Sequence, residues 1–293
     1  MEALAVDTKL ARLIARSELD YMKAWFKAVE VQPGNPLGVE TREFGNATAL
    51  MAKSIPDSPL FNRVLNPDPG VTDAIEDILF FYHQNGIPCR VDVSPYHVST
   101  DFLTKLDVSG LYQSRFHSML YGALPLVPSV VPPGISIRKV LRRDLDLFAA
   151  VFIKAFGRSW GGTELTTQRI AESTRFLYGS PGWELYLAFH EETPAAIGML
   201  YVQDMIASLA GGATIPVMRN KGCQSALIRK RIADAAALRS TLTVAQAVTG
   251  WKSHLNLQRA GVRTAYTKAV WTEKGTGHQC RVSSIEAQGS RGM

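Results

Sequence analysis

Residues 213–227 carry the strongest chemical signal in the chain: Ala213-Thr214-Ile215-Pro216-Val217-Met218-Arg219-Asn220-Lys221-Gly222-Cys223-Gln224-Ser225-Ala226-Leu227. A strand-like run ends in a turn, and a long amphipathic helix starts at once. The first amides of such a helix have no carbonyl partners within it. The aligned peptide dipoles add roughly half a positive charge at the same end. A pyrophosphate suits that combination. Gly222 lacks a Cβ, so oxygen atoms can approach its backbone closely. Arg219 and Lys221 add mobile positive charge, and an arginine can engage two oxygens together. No GxxxxGK[ST] is present and no GxGxxG follows a strand, so this is neither of those phosphate loops. Taken alone, the residues fit a phosphate-bearing ligand, or an ordinary βα turn whose glycine merely packs tightly.

The elements around this segment follow from hydrophobic period. Residues 135–141 alternate as a half-buried strand, and 142–156 place Leu145, Phe148, Ala149, Phe152 and Phe156 at helical spacing. A second helix is predicted over 166–178, then strands over 183–189, 195–202 and 206–215. A helix over 222–238 follows, with a strand at 242–248, a short helix near 253–260 and a strand at 266–271. The order β-α-α-β-β-β-α-β-α-β predicts an α/β fold, a mixed sheet with helices on both faces. The first half is similar in plan: a helix over 10–29, strands near 47–53 and 61–64, a helix over 71–84, a strand at 88–93, a helix near 99–105 and a last strand near 116–121. Between the halves the chain reads LPLVPSVVPPG over 124–134, with prolines at 125, 128, 132 and 133. Each proline fixes φ and lacks an amide hydrogen, so an extended connector is predicted there.

At 293 residues two domains are the default expectation, and 46% hydrophobic with 20% charged residues is ordinary globular composition. The formal charge of +6 is scattered, its tightest groups being Arg138-Lys139 with Arg142-Arg143, and Arg229-Lys230-Arg231. No basic stripe interleaved with aromatics appears, which argues against a nucleic-acid partner and leaves an anionic small ligand as the reason for the balance. Three cysteines (Cys89, Cys223 and Cys280) form no CxxC pair, so a reduced, cytoplasmic compartment is expected. No run reaches the roughly 18 apolar residues that cross a bilayer, and no membrane partner is expected. Residues 274–293 are polar and aperiodic and are expected to be a poorly ordered tail.

The run Arg219-Asn220-Lys221-Gly222-Cys223-Gln224 resembles the Arg/Gln-x-x-Gly-x-Gly/Ala signature of the GNAT N-acetyltransferases, placed after the fourth strand and before the third helix of the second half. Ser253-His254-Leu255-Asn256-Leu257-Gln258-Arg259-Ala260-Gly261-Val262 resembles that family's Asn-x-x-x-x-Gly-Phe segment. The resemblance covers residues 135–272 and implies two GNAT-like modules, each a central mixed sheet flanked by helices. The first, residues 1–126, is degenerate; the second, 134–273, holds acetyl-CoA as cosubstrate without a metal. In the roles implied, backbone groups of Ala213, Thr214 and Ile215 pair with the pantetheine arm like an added strand. Amides of Asn220, Lys221, Gly222, Cys223, Gln224 and Ser225 hold the pyrophosphate, and Asn256 sits near the pantetheine or phosphate end. The activity implied is acetyl transfer to a primary amine of a small molecule or protein. A catalytically silent acyl-CoA sensor or scaffold is the alternative.

Three departures from the pattern bear on chemistry. Gln224 replaces Gly or Ala, so its side chain has to lean away from the phosphates. Val262 replaces Phe. Leu257 stands four before Gly261, where relatives carry a tyrosine that protonates the departing thiolate. Tyr266 is the nearest substitute and is named as the catalytic candidate, against an ordinary half-buried strand tyrosine; His254 reads as an exposed surface residue rather than a catalyst. Cys223 invites a nucleophile reading, since a thiol at a helix N-terminus has a lowered pKa; without a partner histidine it is set aside. Glu164, Glu184 and Asp204 are possible bases or surface carboxylates. Phe61-Asn62-Arg63 either faces the cleft between halves or forms a structural salt bridge, and Phe156 with Trp160 either walls the acceptor pocket or packs in the core.

Overall fold

The computed structural model describes residues 6–96, 98–124, 131–157 and 162–274. The first half contains helix α1 (Thr8–Glu30), strands β1 (Val39–Phe44), β2 (Ala47–Ala52) and β3 (Arg63–Leu65), helix α2 (Ile75–His83), strand β4 (Arg90–Val93), helix α3 (Thr100–Val108) and strand β5 (Leu111–Ala123). The second contains β6 (Ile135–Lys139), α4 (Leu145–Phe156), α5 (Glu164–Ser173), β7 (Trp183–His190), β8 (Thr193–Gln203), β9 (Ile206–Thr214), α6 (Cys223–Ala237), β10 (Leu242–Val248), α7 (Lys252–Arg259) and β11 (Arg263–Glu273). Each half is a mixed α/β arrangement, as the hydrophobic period predicts. Strand β1 went unread in the sequence, because Glu40, Arg42 and Glu43 dilute its pattern; it pairs with the wholly buried β2 across a Gly45-Asn46 turn.

Two elements grew on contact with the rest of the fold. β5 runs for 13 residues although only 116–121 look strand-like, because it has a strand on each side. α1 is capped by Asp7, which accepts from the Leu10 amide, and buries a stripe from Ala11 to Val29.

Among the described residues eleven strands form one sheet, in the order β1-β2-β3-β4-β11-β5-β10-β9-β8-β7-β6. The mixed sheets of the two halves are thus joined edge to edge, and they exchange strands. β11, the last strand of the second half, lies between β4 and β5 of the first. β5 in turn lies between β10 and β11. Residues 125–130 of the proline-rich connector, Trp160 and residues 275–293 of the expected tail lie outside the described residues.

α1 is the second link between the halves. Trp25 sits edge-on to Phe61 of the first half at 5.1 Å and to Trp183 of the second at 5.9 Å, and its indole N–H donates to Ser173 at 3.1 Å. Phe148, Phe152 and Phe156 of α4 close the same core, so Phe156 is a packing residue rather than a pocket wall. Phe61 stacks on Phe26, and Asn62 bridges the Ala52 amide and the Ile55 carbonyl.

Candidate active site

β9 and β10 run parallel but pair only through Ile206, Ala207 and Ser208 against Leu242, Thr243 and Val244. Beyond Ser208 the two strands have no register with each other. β9 goes on to Thr214 and β10 to Val248, each held only from its outer side. A bulge lies where they part: Met199 faces Gly211 and Tyr201 faces Ser208, so Leu209 and Ala210 together oppose Leu200. Bulges re-aim backbone groups and recur beside active sites.

Arg231 of α6 underpins this bulge. Its guanidinium is buried and donates to the carbonyls of Met199 at 2.9 Å and Gly211 at 2.6 Å. Burial lowers its pKa to about 10. Gly198 and Gly212 make room for it, since a Cβ on either would come 3.0 Å and 2.9 Å from guanidinium nitrogens. The Gly211-Gly212 pair was the sequence signal for this close approach.

Immediately after β9, the chain passes through Pro216–Met218 and reaches the N-terminus of α6. Gly222 is the N-cap, and no side chain caps the helix. No acidic residue lies in the first turn, and Arg219, Asn220 and Lys221 are exposed. Gln224 folds back along β9, its amide nitrogen 3.4 Å from the Gly212 carbonyl and its amide oxygen 3.3 Å from the Thr214 hydroxyl. The side chain that had to lean away from the helix end does so. Gly222 has φ +86°, and a Cβ there would meet Ile135 at 3.2 Å. The glycine therefore serves a left-handed turn and a close contact with β6. Cys223 packs into the core with Leu227 and Ile228, and burial pushes its thiol pKa up, the opposite of an activated nucleophile.

Ala213 and Thr214 lie in the part of β9 beyond its pairing with β10, and Ile215 follows the strand directly. Asn256 accepts from Arg259 at 3.1 Å on the surface of α7. Leu257 faces inward, into the core shared with Leu120 and Leu227, rather than into open space. His254 is buried, not exposed: Nδ1 accepts from the Gly250 amide at 3.0 Å, and Nε2 lies 2.9 Å from the Thr264 hydroxyl. It ties the start of α7 to β11.

Tyr266 is placed away from the parting of β9 and β10. It stands opposite Met119 of β5, which in turn stands opposite Gln246 of β10, so two strand spacings, about 10 Å, separate it from β10. Its ring packs edge-on to Tyr96 and beneath Ala11 and Ile14 of α1, and its hydroxyl is beside Ser94. Burial raises its pKa. It is buried rather than half-buried. Among the possible bases, Glu184 is paired with Lys139 at 2.8 Å, Asp204 is in the turn at the closed end of β9, and Glu164 is exposed at the start of α5.

On the face of the sheet covered by α1, a buried quartet joins the two halves. Lys268 of β11 lies 2.6 Å from Glu18 and 2.7 Å from Asp92, and Arg63 lies 2.9 Å and 2.8 Å from the same carboxylates. Arg63 is therefore structural, the second of its two sequence readings. Next in the row stands His117 of β5, opposite Lys268, with Nδ1 2.7 Å from the Gln246 amide nitrogen of β10. Burial, reinforced by the Lys268 charge, lowers the His117 pKa to about 4. The unfolded chain binds this proton more readily, near pH 6.5. The stabilisation is thus complete above about pH 6.5 and lost as the pH falls towards 4, amounting to about 3 kcal/mol at most. Thermal midpoints should fall more steeply from pH 7 to 4.5 in the natural protein than in His117→Gln. Parallel curves would show that the imidazole does not govern this window.

No family model matches the chain, and no curated protein sequence resembles it. Solved structures do. A GCN5-related N-acetyltransferase from Kribbella flavida superposes with a TM-score of 0.63 at 14% identity, covering 93% of this chain and 97% of that one. A second, from Sphaerobacter thermophilus, gives 0.57 at 13% identity over 79% of this chain and 82% of its own. A tandem GNAT protein from the clavulanic acid biosynthesis pathway gives 0.56 at 11% identity over 92% and 96%. The chain has the GNAT fold. No helix among the described residues is long and apolar enough to cross a membrane.

Proposed function

We propose that the chain is an acetyl-CoA-dependent N-acetyltransferase that moves an acetyl group directly to a primary amine. The observation that carries this reading is the parting of β9 from β10 beside the uncapped N-terminus of α6. The amides of Cys223, Gln224 and Ser225 have no intrahelical partners, and the Gln224 side chain leaves them open. Arg219 and Lys221 supply charge beside them for the pyrophosphate, and Asn220 and Gly222 shape the turn with positive φ. Ala213 and Thr214 offer strand backbone for the pantetheine arm, with Ile215 continuing the line and Asn256 on the neighbouring helix α7.

In direct transfer the amine nitrogen attacks the acetyl carbonyl carbon, the carbon–sulfur bond breaks, and the thiolate leaves. The amine must first lose a proton, which costs about 4.6 kcal/mol at pH 7 for a lysine-like group. Holding amine and thioester in reach of each other can offset more than that. A CoA thiol near the ordinary thiol pKa of about 8.5 leaves tolerably without a strong acid. Leu257 in the core and Tyr266 behind α1 favour a second reading, a CoA-binding protein without turnover. Release of free thiol from acetyl-CoA, assayed across a panel of amines, separates the two.

Cofactor binding has its own test. Calorimetry of the full chain with CoA should show affinity on the order of micromolar, about −8 kcal/mol. Gly222→Val should weaken it at least tenfold, because a β-branched residue is strained at φ +86° and collides with Ile135, distorting the turn. No heat at millimolar CoA would overturn the assignment.

A further inference from the structure

The two faces of the sheet differ where β9 and β10 part. On one, Ala245 and Ala247 of β10 lie in the core with Leu227 of α6 and Leu257 of α7, so that side is closed. On the other, which α1 partly covers, Gln246 is the first residue of β10 past Val244, and Val244 still pairs with Ser208. Gln246 and Val248 are half-buried there, as is His117 of β5, which stands opposite Val248. From β9 the same face receives Ala210, Gly211 and Ala213, which carry no polar side chain. Ser208 is already engaged, its hydroxyl donating to the Ser17 carbonyl at 3.4 Å. An acceptor that approaches a thioester in the parting from this side therefore meets Gln246, with His117 beside it.

Gln246 is held in place but incompletely satisfied. Its amide nitrogen lies 2.7 Å from Nδ1 of His117, while its Oε1 is buried and has no hydrogen-bond partner. Burial and the Lys268 charge keep the imidazole neutral, so Nδ1 can accept the amide N–H and the oxygen is left over. Buried polar atoms without a partner are few in folded chains, and this one is an acceptor, so a donor completes it. The charge around the pair selects the form of that donor. Glu18 and Asp92, the carboxylates facing His117, are each shared by Arg63 and Lys268, so neither is left for an ammonium ion. Arg115 is exposed two residues before His117, and Arg90 of β4 stands opposite Thr272 of β11. Among the described residues neither arginine is in an ion pair, so this face keeps a positive excess. The setting that keeps a proton off His117 acts in the same sense on an amine beside it.

We infer that Gln246 receives the acceptor, its Oε1 accepting an amine N–H, and that the acceptor enters as a neutral, weakly basic primary amine, aromatic amines being the common kind, rather than as an alkylammonium. This rests on the acetyl-transfer reading for the reaction, but not for the binding. A weakly basic nitrogen arrives with its lone pair free and needs no carboxylate to deprotonate it, which suits the committed state of Glu18 and Asp92. As the nitrogen bonds the acetyl carbon and the carbon–sulfur bond breaks, the nitrogen's proton passes to the departing thiolate.

The test has two arms, both on the full chain, and uses 4-methylaniline and benzylamine, isomers of which only the second is an ammonium ion at pH 7. In the first arm each is titrated into the protein in the presence of CoA. 4-Methylaniline should bind saturably, about tenfold more weakly in Gln246→Leu, as the loss of one hydrogen bond implies. Benzylamine should not saturate. Failure of 4-methylaniline to bind, equal binding of the two isomers, or a Gln246→Leu protein that melts and binds as the natural one does, overturns the inference. In the second arm, thiol release from acetyl-CoA is followed with both amines in the natural protein, Gln246→Leu and Gln246→Glu. Preference for 4-methylaniline, with KM rising about tenfold in Gln246→Leu while kcat holds, supports the inference. Gln246→Glu keeps the shape and the oxygen but supplies a carboxylate, so it should shift preference towards benzylamine by tenfold or more. A glutamine that only holds the fold would lower both amines alike, and that result, or benzylamine preferred by the natural protein, overturns the inference and leaves acetyl transfer standing. Thiol release with neither amine, while 4-methylaniline binds through Gln246, keeps the amine site and removes the transfer reading.

Discussion

Expressed separately, residues 1–126 and 134–274 are expected not to fold into stable monomers, and to regain the fold when produced together. The reason is the exchanged pair of strands. In the first fragment β5 loses both neighbours, β10 and β11, and β4 loses one. In the second, β10 and β11 lose the strand that separates them. Each fragment would then expose long unpaired edges, which in isolated chains lead to aggregation or swapping. The fragments also divide the aromatic cluster around Trp25, whose neighbours Phe61 and Trp183 lie on opposite sides of the cut. Circular dichroism and gel filtration of each fragment, alone and after co-expression, would decide the matter. Two soluble monomers that each unfold cooperatively would mean that β10 and β11 re-pair directly, and that the exchange is dispensable.

That exchange marks where sequence reading stops. The second half was legible almost element by element. Its strands are short apolar runs bounded by turn residues, and Leu145, Phe148, Phe152 and Phe156 mark α4 at helical spacing, so β7 to β10 and α6 fall within a few residues of their expected bounds. The turn before α6 was legible too, because Pro216 and Gly222, with Arg219 and Lys221 between them, restrict what a backbone can do. Pairing is another matter. Nothing in the residues 263–273 themselves says that β11 will lie between β4 and β5, because strand period fixes which face a side chain takes but not which neighbour the strand finds. Lys268 shows the cost of that gap. In the sequence it is a polar interruption in a strand; only with β4 and α1 beside it does it become the partner of Asp92 and Glu18. The same holds for Tyr266, chosen by closeness in sequence to Leu257 and placed by pairing two strands away from β10. Arg90, Arg115 and His117 escaped notice because each stands alone in sequence, and only the order of strands sets them in a row.

Lys268→Met should destabilise the protein by about 3–5 kcal/mol, the size seen when one member of a buried ion pair is removed. For a chain of this length that corresponds to roughly 10 °C in the thermal midpoint. The quartet is neutral as built, two cations against two carboxylates, and all four side chains are at most 5% exposed. Burial pushes the Asp92 carboxyl up, but Lys268 and Arg63 outweigh it and hold that carboxyl well below the usual range. Its contribution is therefore present above the unfolded value near pH 4 and is lost only in stronger acid. Without Lys268, Arg63 alone faces two buried carboxylates, and one of them must take up a proton or draw in water. The deficit of the variant relative to the natural protein should accordingly narrow between pH 7 and pH 5, because protonation relieves the excess negative charge. A second substitution that restores neutrality, Glu18→Gln in the Lys268→Met background, should recover part of the loss at pH 7, while Glu18→Gln alone should be destabilising. That pattern belongs to charge balance, since a loss of side-chain packing would add in the double variant instead of cancelling. Chemical denaturation of the four proteins at the two pH values would show it. Additive losses that do not vary with pH would mean that Lys268 holds β11 in place by packing and not by charge.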